Sequence, residues 1–170
     1  VRDPEHMKRS DEGPWYSEQH VLGFNYRLTD IQCGLGLSQI AKLSRFIARR
    51  QAIAARYFEA FADLGGLTLP TVHEGVEPGW HLFAVRVPEA AHRRPLFDRL
   101  RALGLGVQVH YLPVYRHPYY QQLGYKDGLC PVAEDLYARS ITLPLFPRMT
   151  DDMIGTVIDR VHEAVRDVLP

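Results

Sequence analysis

Two stretches hold most of the residues that could do chemistry. In residues 23–32, G-F-N-Y-R-L-T-D-I-Q, Asn25, Tyr26 and Arg27 stand just ahead of a helix start. An amide and a guanidinium beside the free backbone N–H groups of a helix N-terminus suit an anion such as phosphate. The same residues also read as a capped helix with a surface arginine. In residues 107–120, V-Q-V-H-Y-L-P-V-Y-R-H-P-Y-Y, histidine and tyrosine crowd together, and five of the nine tyrosines fall between 111 and 125. His110 and Tyr111 stand where a strand gives way to a loop, the usual edge of a site in an α/β layer. Imidazoles and phenols hydrogen-bond hydroxyl-rich or nucleotide ligands and offer flat faces for stacking. The plainer reading is a tyrosine-rich loop packed on the sheet. It is the better one for His117 and Tyr119, and both readings stand for His110 and Tyr111.

Other chemistries lack their spacing. The chain has eight histidines, yet His73-Glu74 and His162-Glu163 are not followed by the second histidine that a helical zinc motif needs, and Cys33 and Cys130 are isolated. No metal site is expected. There is no G-x-x-x-x-G-K-[ST] phosphate loop and no G-x-S-x-G nucleophile elbow. Gly34-x-Gly36 lies inside a helical pattern and follows no strand, so it reads as helix packing, with close approach to another backbone.

These residues must be positioned by elements that the periodicity outlines. Residues 1–28 are a loop-rich lead-in that needs something to lie against. Thr29 with Gln32 forms a capping box, and Asp30 adds favourable charge to the first turn. Ile31, Leu35, Leu43, Phe46, Ile47, Ala54, Tyr57, Phe58, Phe61 and Leu64 then recur at helical spacing up to Gly65-Gly66. One long helix over 29–66 is expected, kinked near Arg49–Gln51. Over 67–170 strands and helices alternate. Strands are expected at 67–69, 80–87, 107–111 and 141–143, with helices at 94–103, at 131–139 and after Thr150. This predicts an α/β fold, a small sheet of three or four strands with helices packed on it.

Composition narrows the function. The 170 residues are 46% hydrophobic and 24% charged, the balance of a globular domain rather than of a disordered chain. Twenty basic residues offset twenty acidic ones, so the chain lacks the excess positive charge of a dedicated nucleic-acid binder. No apolar run approaches the roughly 20 residues of a membrane span. The two cysteines fit a reducing cytoplasm. Only Lys8, Lys42 and Lys126 are lysines, and the chain opens on Val1 without a leader pattern, as a piece of something longer would.

The motif G-F-N-Y-R-L-T-D-I-Q-x-x-L-G-L-S-Q over 23–39 closely resembles the signature of the DegT/DnrJ/EryC1/StrS family of pyridoxal-phosphate (PLP) dependent sugar aminotransferases. W-H-L-F at 80–83, V-H-Y-x-P-V-Y at 109–115 and the 144–147 region match the same family in the same order. Gly13-Pro14-Trp15-Tyr16 looks most like the branch that aminates UDP-linked 4-keto-6-deoxy sugars on the way to pseudaminic acid. The resemblance implies the C-terminal portion of a fold-type I PLP-dependent transferase: lead-in 1–28 lying against a missing large domain, interdomain helix 29–66, and small α/β domain 67–170. It implies a homodimer with shared active sites that moves an amino group from glutamate to a nucleotide-linked keto sugar. By resemblance, Asn25 and Arg27 face the PLP phosphate of the neighbouring subunit, His110 and Tyr111 face the sugar, and Trp15 and Tyr16 stack on the nucleotide. Tyr26 is expected to pack, and His81 reads equally as structural or functional. None of the three lysines sits in the family's Schiff-base context, so no catalytic residue is expected in this chain, which should be inactive alone. The alternative from another class is a stand-alone module that binds a sugar nucleotide or dimerises without catalysis.

Overall fold

A computed structural model of the chain describes residues 4–7, 19–24 and 26–169. They fall into two units, Val1–Ala41 and Lys42–Pro170.

Among the described residues the first unit holds a 3-10 turn, Pro4–His6, and helix α1, Asp30–Ile40. The expected capping box is formed: the Thr29 N–H donates to Gln32 Oε1 at 2.8 Å, and the Gln32 N–H donates to Thr29 Oγ1 at 3.3 Å. Helix α1 buries none of its residues, and Ile31, Leu35, Leu37 and Ile40 are all exposed. The close approach expected at Gly34 and Gly36 is not seen. A methyl group placed on either would meet nothing within 4 Å.

The second unit begins with helix α2, Leu43–Phe61, so the expected long helix is two helices. The break falls at Ala41-Lys42, while Arg49–Gln51 lie in unbroken helix. Neither glycine nor proline marks the break, and apolar periodicity runs straight through it, so the spacing alone could not locate it. Helix α2 buries Ile53, Ala54, Tyr57 and Phe61.

Strand β1, Phe83–Arg86, pairs antiparallel with strand β2, Ser140–Leu143, in the register Phe83 to Leu143 and Arg86 to Ser140. Helix α3, Ala90–Ala102, follows β1. A 3-10 turn at Val114–Arg116, the short helix α4, Pro118–Gln122, and helix α5, Pro131–Arg139, lead into β2. Helix α6, Asp151–Val168, closes the unit, and Thr150 caps it by accepting from the Met153 N–H at 3.2 Å.

The sheet is narrower than expected. The segments at 67–69 and 107–111 each contribute one antiparallel bridge, Thr68 with Arg86 and Gln108 with Thr142, on opposite edges of the β1–β2 pair. Pro70 explains the brevity of the first: it lacks the N–H that would extend the ladder two residues past Thr68. The strand expected at 80–87 starts only at Phe83, because Trp80 takes a left-handed φ of 45°. One sheet face carries Phe83, Val85, Ile141 and Leu143 into a core shared with Tyr57, Phe61, Leu96, Leu100, Ile154 and Val161. Ala84, Arg86, Ser140 and Thr142 alternate onto the other face.

Candidate functional site

The expected site residues distribute unevenly. Asn25, Trp15 and Tyr16 lie outside the described residues. Arg27 lies in the first unit, exposed, three residues before the start of α1, and among the described residues no carboxylate pairs with it. An unpaired guanidinium there suits a doubly charged oxyanion such as a phosphate group. Tyr26 was expected to pack. Its ring stacks on Phe24 at 6.1 Å between centroids, but both side chains stay largely exposed.

His110 and Tyr111 lie in the second unit, just past the Gln108 bridge at the edge of the sheet. Gln108 and Thr142 exchange backbone hydrogen bonds of 3.2 and 2.7 Å, which puts His110 on the same sheet face as Thr142. The His110 Nδ1 lies 2.9 Å from Thr142 Oγ1. The Tyr111 ring stands edge-on to the imidazole at 4.6 Å, across a cis peptide bond, and is 72% exposed. A half-buried imidazole and an exposed phenol thus stand side by side on the sheet face turned away from the core. Such a pair can grip a polar ligand by donor and acceptor contacts and cover it with a ring.

The aromatic loop beyond them is internally braced. The Tyr115 hydroxyl donates to Glu134 Oε1 at 2.5 Å and accepts from the Cys130 N–H at 3.1 Å. Glu134 also accepts from the Gly128 N–H at 2.6 Å, and Arg116 pairs with Asp127 at 3.0 Å. Burial and the bond to Glu134 together raise the Tyr115 pKa. Tyr119 packs edge-on against Tyr120 at 5.3 Å, and Tyr120 against Tyr125 at 6.2 Å. These rings stay at least partly exposed, so the loop does not lie flat on the core.

His81 is exposed and contributes its carbonyl rather than its ring. The Arg50 Nη1 donates to the carbonyls of Trp80, His81 and Leu145 at 3.0, 3.3 and 3.2 Å. That anchor holds the left-handed Trp80, whose indole packs against Phe58 and Phe83. The residues that sequence reasoning missed are Arg50, Glu134 and Thr142. The one signal for Thr142 was a hydroxyl inside an otherwise apolar strand, Ile141-Thr142-Leu143. Among the described residues no group of three or more histidine, cysteine or carboxylate side chains is placed to hold a metal ion. Among the described residues no helix is long and apolar enough to cross a membrane. Lys42 sits half-buried at the start of α2, and Lys126 is exposed beyond the aromatic loop.

The DegT/DnrJ/EryC1/StrS aminotransferase family matches residues 5–162. The spore coat polysaccharide biosynthesis protein SpsC of Bacillus subtilis is 39% identical over 165 residues, which are 94% of this chain and 41% of SpsC. Among solved structures, Helicobacter pylori PseC, an aminotransferase of pseudaminic acid biosynthesis, superposes with a TM-score of 0.82 at 27% identity, over 90% of this chain and 42% of PseC. A Streptococcus pneumoniae protein in its PMP form superposes at 0.85 with 27% identity, over 95% of this chain and 41% of that one, and it has also been solved in a PLP form. The chain therefore spans about two fifths of the length of the relatives it matches.

Proposed function

The chain belongs to the DegT/DnrJ/EryC1/StrS aminotransferase family, and from that premise we propose that it is the C-terminal part of an enzyme that moves an amino group from glutamate to a nucleotide-linked 4-keto-6-deoxy sugar. The family match over 5–162 carries this reading. Family aminotransferases are PLP-dependent, and the cofactor, when bound, supplies the electron sink for the amino-group exchange.

The part played by this chain's own residues is binding and orientation. Asn25 and Arg27 donate to the cofactor phosphate in the neighbouring subunit of a homodimer. The exposed Arg27 guanidinium, unpaired among the described residues, fits a phosphate dianion, and Asn25 is assigned by motif. His110 and Tyr111 face the sugar from the edge of the sheet, and Trp15 and Tyr16 stack on the nucleotide. Moving protons falls to a lysine outside this chain, because none of Lys8, Lys42 and Lys126 lies in the family's context for that role. Alone, the 170 residues are inactive. The resemblance of 13–16 and the likeness to PseC favour a UDP-linked sugar on the way to pseudaminic acid.

A stand-alone binding module fits less well. Val21, Leu22, Phe24, Tyr26 and Leu28, with the apolar residues of α1, expose more contiguous apolar side chain than a free soluble domain usually tolerates.

The test is kinetic. In the full-length enzyme, His110→Ala should raise KM for the sugar nucleotide about tenfold or more, the worth of one or two lost contacts. The cofactor absorbance and the half-reaction with glutamate should stay unchanged. Unaltered sugar-nucleotide kinetics would remove His110 from the site, and loss of cofactor would move it to the phosphate end.

A further inference from the structure

We propose that Thr142 is a positioning residue that holds the His110 imidazole in its Nε2–H form, so that the ring offers its ligand a hydrogen-bond donor rather than a base. The consequence for substrate rests on the reading of His110 as a sugar-facing residue; the positioning itself stands on geometry.

The backbone pairing of Gln108 with Thr142 makes His110 the diagonal neighbour of Thr142 across the ladder. Diagonal pairs on one face of an antiparallel pair are within reach of ring side chains. The Nδ1 to Oγ1 distance of 2.9 Å shows that this ring makes the reach. Thr142 is only 5% exposed, and among the described residues its hydroxyl bonds to nothing else.

A threonine hydroxyl carries one proton and two lone pairs. If His110 Nδ1 bore a proton, it would donate to Oγ1 and leave the hydroxyl proton buried without an acceptor. If Nδ1 is bare, the hydroxyl donates to it and only oxygen lone pairs go unused. Buried donors without acceptors are rarer and costlier than under-used acceptors. The pair therefore settles with Thr142 donating, Nδ1 bare and the proton on Nε2. Tyr111, edge-on at 4.6 Å, flanks the imidazole and limits its rotation.

An Nε2–H selects among ligands. It binds an oxygen with a free lone pair, such as the keto or hydroxyl oxygen of a sugar or a phosphate oxygen. It repels an ammonium group. The ring's one basic nitrogen is then Nδ1, which can take a proton only if the Thr142 hydroxyl turns its own proton away. His110 on this account discriminates and orients, and proton transfer is left to other groups.

The experiment uses the full chain as its gene encodes it, labelled with 15N-histidine. His110→Gln assigns the resonance by deleting it. At about pH 8.5, where an ordinary imidazole is neutral, the wild type and Thr142→Ser should show His110 with Nε2 protonated and Nδ1 bare but hydrogen-bonded. In Thr142→Val, which keeps the shape and removes the hydroxyl, the Nδ1 resonance should move to that of an unbonded ring nitrogen. KM for the sugar nucleotide should rise roughly five- to tenfold in the valine variant, as expected for one weakened hydrogen bond, and stay near wild type in the serine variant. A proton found on Nδ1 of the wild type, or an Nδ1 resonance that ignores Thr142→Val, would overturn the proposal. A resonance that moves while KM stays fixed would leave Thr142 as the positioning residue and overturn the sugar-facing reading of His110.

Discussion

Tyr57 shows what one side chain contributes beyond its place in an apolar stripe. Its ring is buried on α2 against Phe61 and Phe83, and its hydroxyl donates to the Pro144 carbonyl at 2.7 Å. Burial pushes the phenol far above its ordinary pKa, so it remains a neutral donor. Tyr57→Phe should cost about 1–2 kcal/mol, because it leaves the Pro144 carbonyl without its donor. Urea unfolding checks this: the midpoint should fall while the slope holds. Helical spacing was enough to put Tyr57 on the buried face. The partner of its hydroxyl lies 87 residues away and no spacing could name it. The candidate site follows the same rule. His110 and Tyr111 stand out in the sequence because an imidazole and a phenol follow the short Val107-Gln108-Val109 run. Thr142 was not, because its importance lies in what the pairing of two distant segments sets beside it.

At the scale of elements, the helix caps follow from the local sequence and the junctions do not. Thr29 and Thr150 both cap their helices, since each cap depends only on residues within one turn. The two single-bridge strands and the left-handed Trp80 depend on partners elsewhere in the chain. Arg50 is the clearest such partner, tying α2 to the approach to β1 and to the segment after β2 through three carbonyls. The turn after α2 offers a direct test. Gly66 has a φ of +83°, and a Cβ there would lie 2.8 Å from Leu169 Cδ1. Gly66→Ala should therefore destabilise the second unit by roughly 2 kcal/mol or more, from left-handed strain plus the clash with the chain after α6. Gly65→Ala, where a Cβ meets nothing, should change stability far less. Thermal unfolding of the pair separates the two cases.

At the scale of the molecule, distant parts of the second unit are held by ion pairs as well as by the core. Asp151, at the start of α6, pairs with Arg49 at 3.0 Å and Arg56 at 3.2 Å, both on α2. The hydrogen bond from Arg49, followed by its charge, lowers the Asp151 pKa below the ordinary carboxylate value. A carboxylate with a lowered folded pKa adds stability that is complete above its unfolded pKa of about 3.9 and is lost as pH falls through the lower folded value. Asp151→Asn should thus be less stable than wild type at neutral pH, and the gap should close on acidification below about pH 4. Chemical denaturation at several pH values measures that gap, and a gap independent of pH would assign the effect to packing.

The sequence by itself determined the helix caps, the apolar stripes that build the core, the alternation of strand and helix, and the family, because each of these is carried by neighbours in the chain or by an unbroken motif. Only the tertiary structure decided where the long helix breaks, how narrow the sheet is, which carbonyls Arg50 gathers and which hydroxyl meets His110. The last two rest on contacts between residues 30 to 95 positions apart. They form only when the core has brought those segments together, and local spacing holds no record of them.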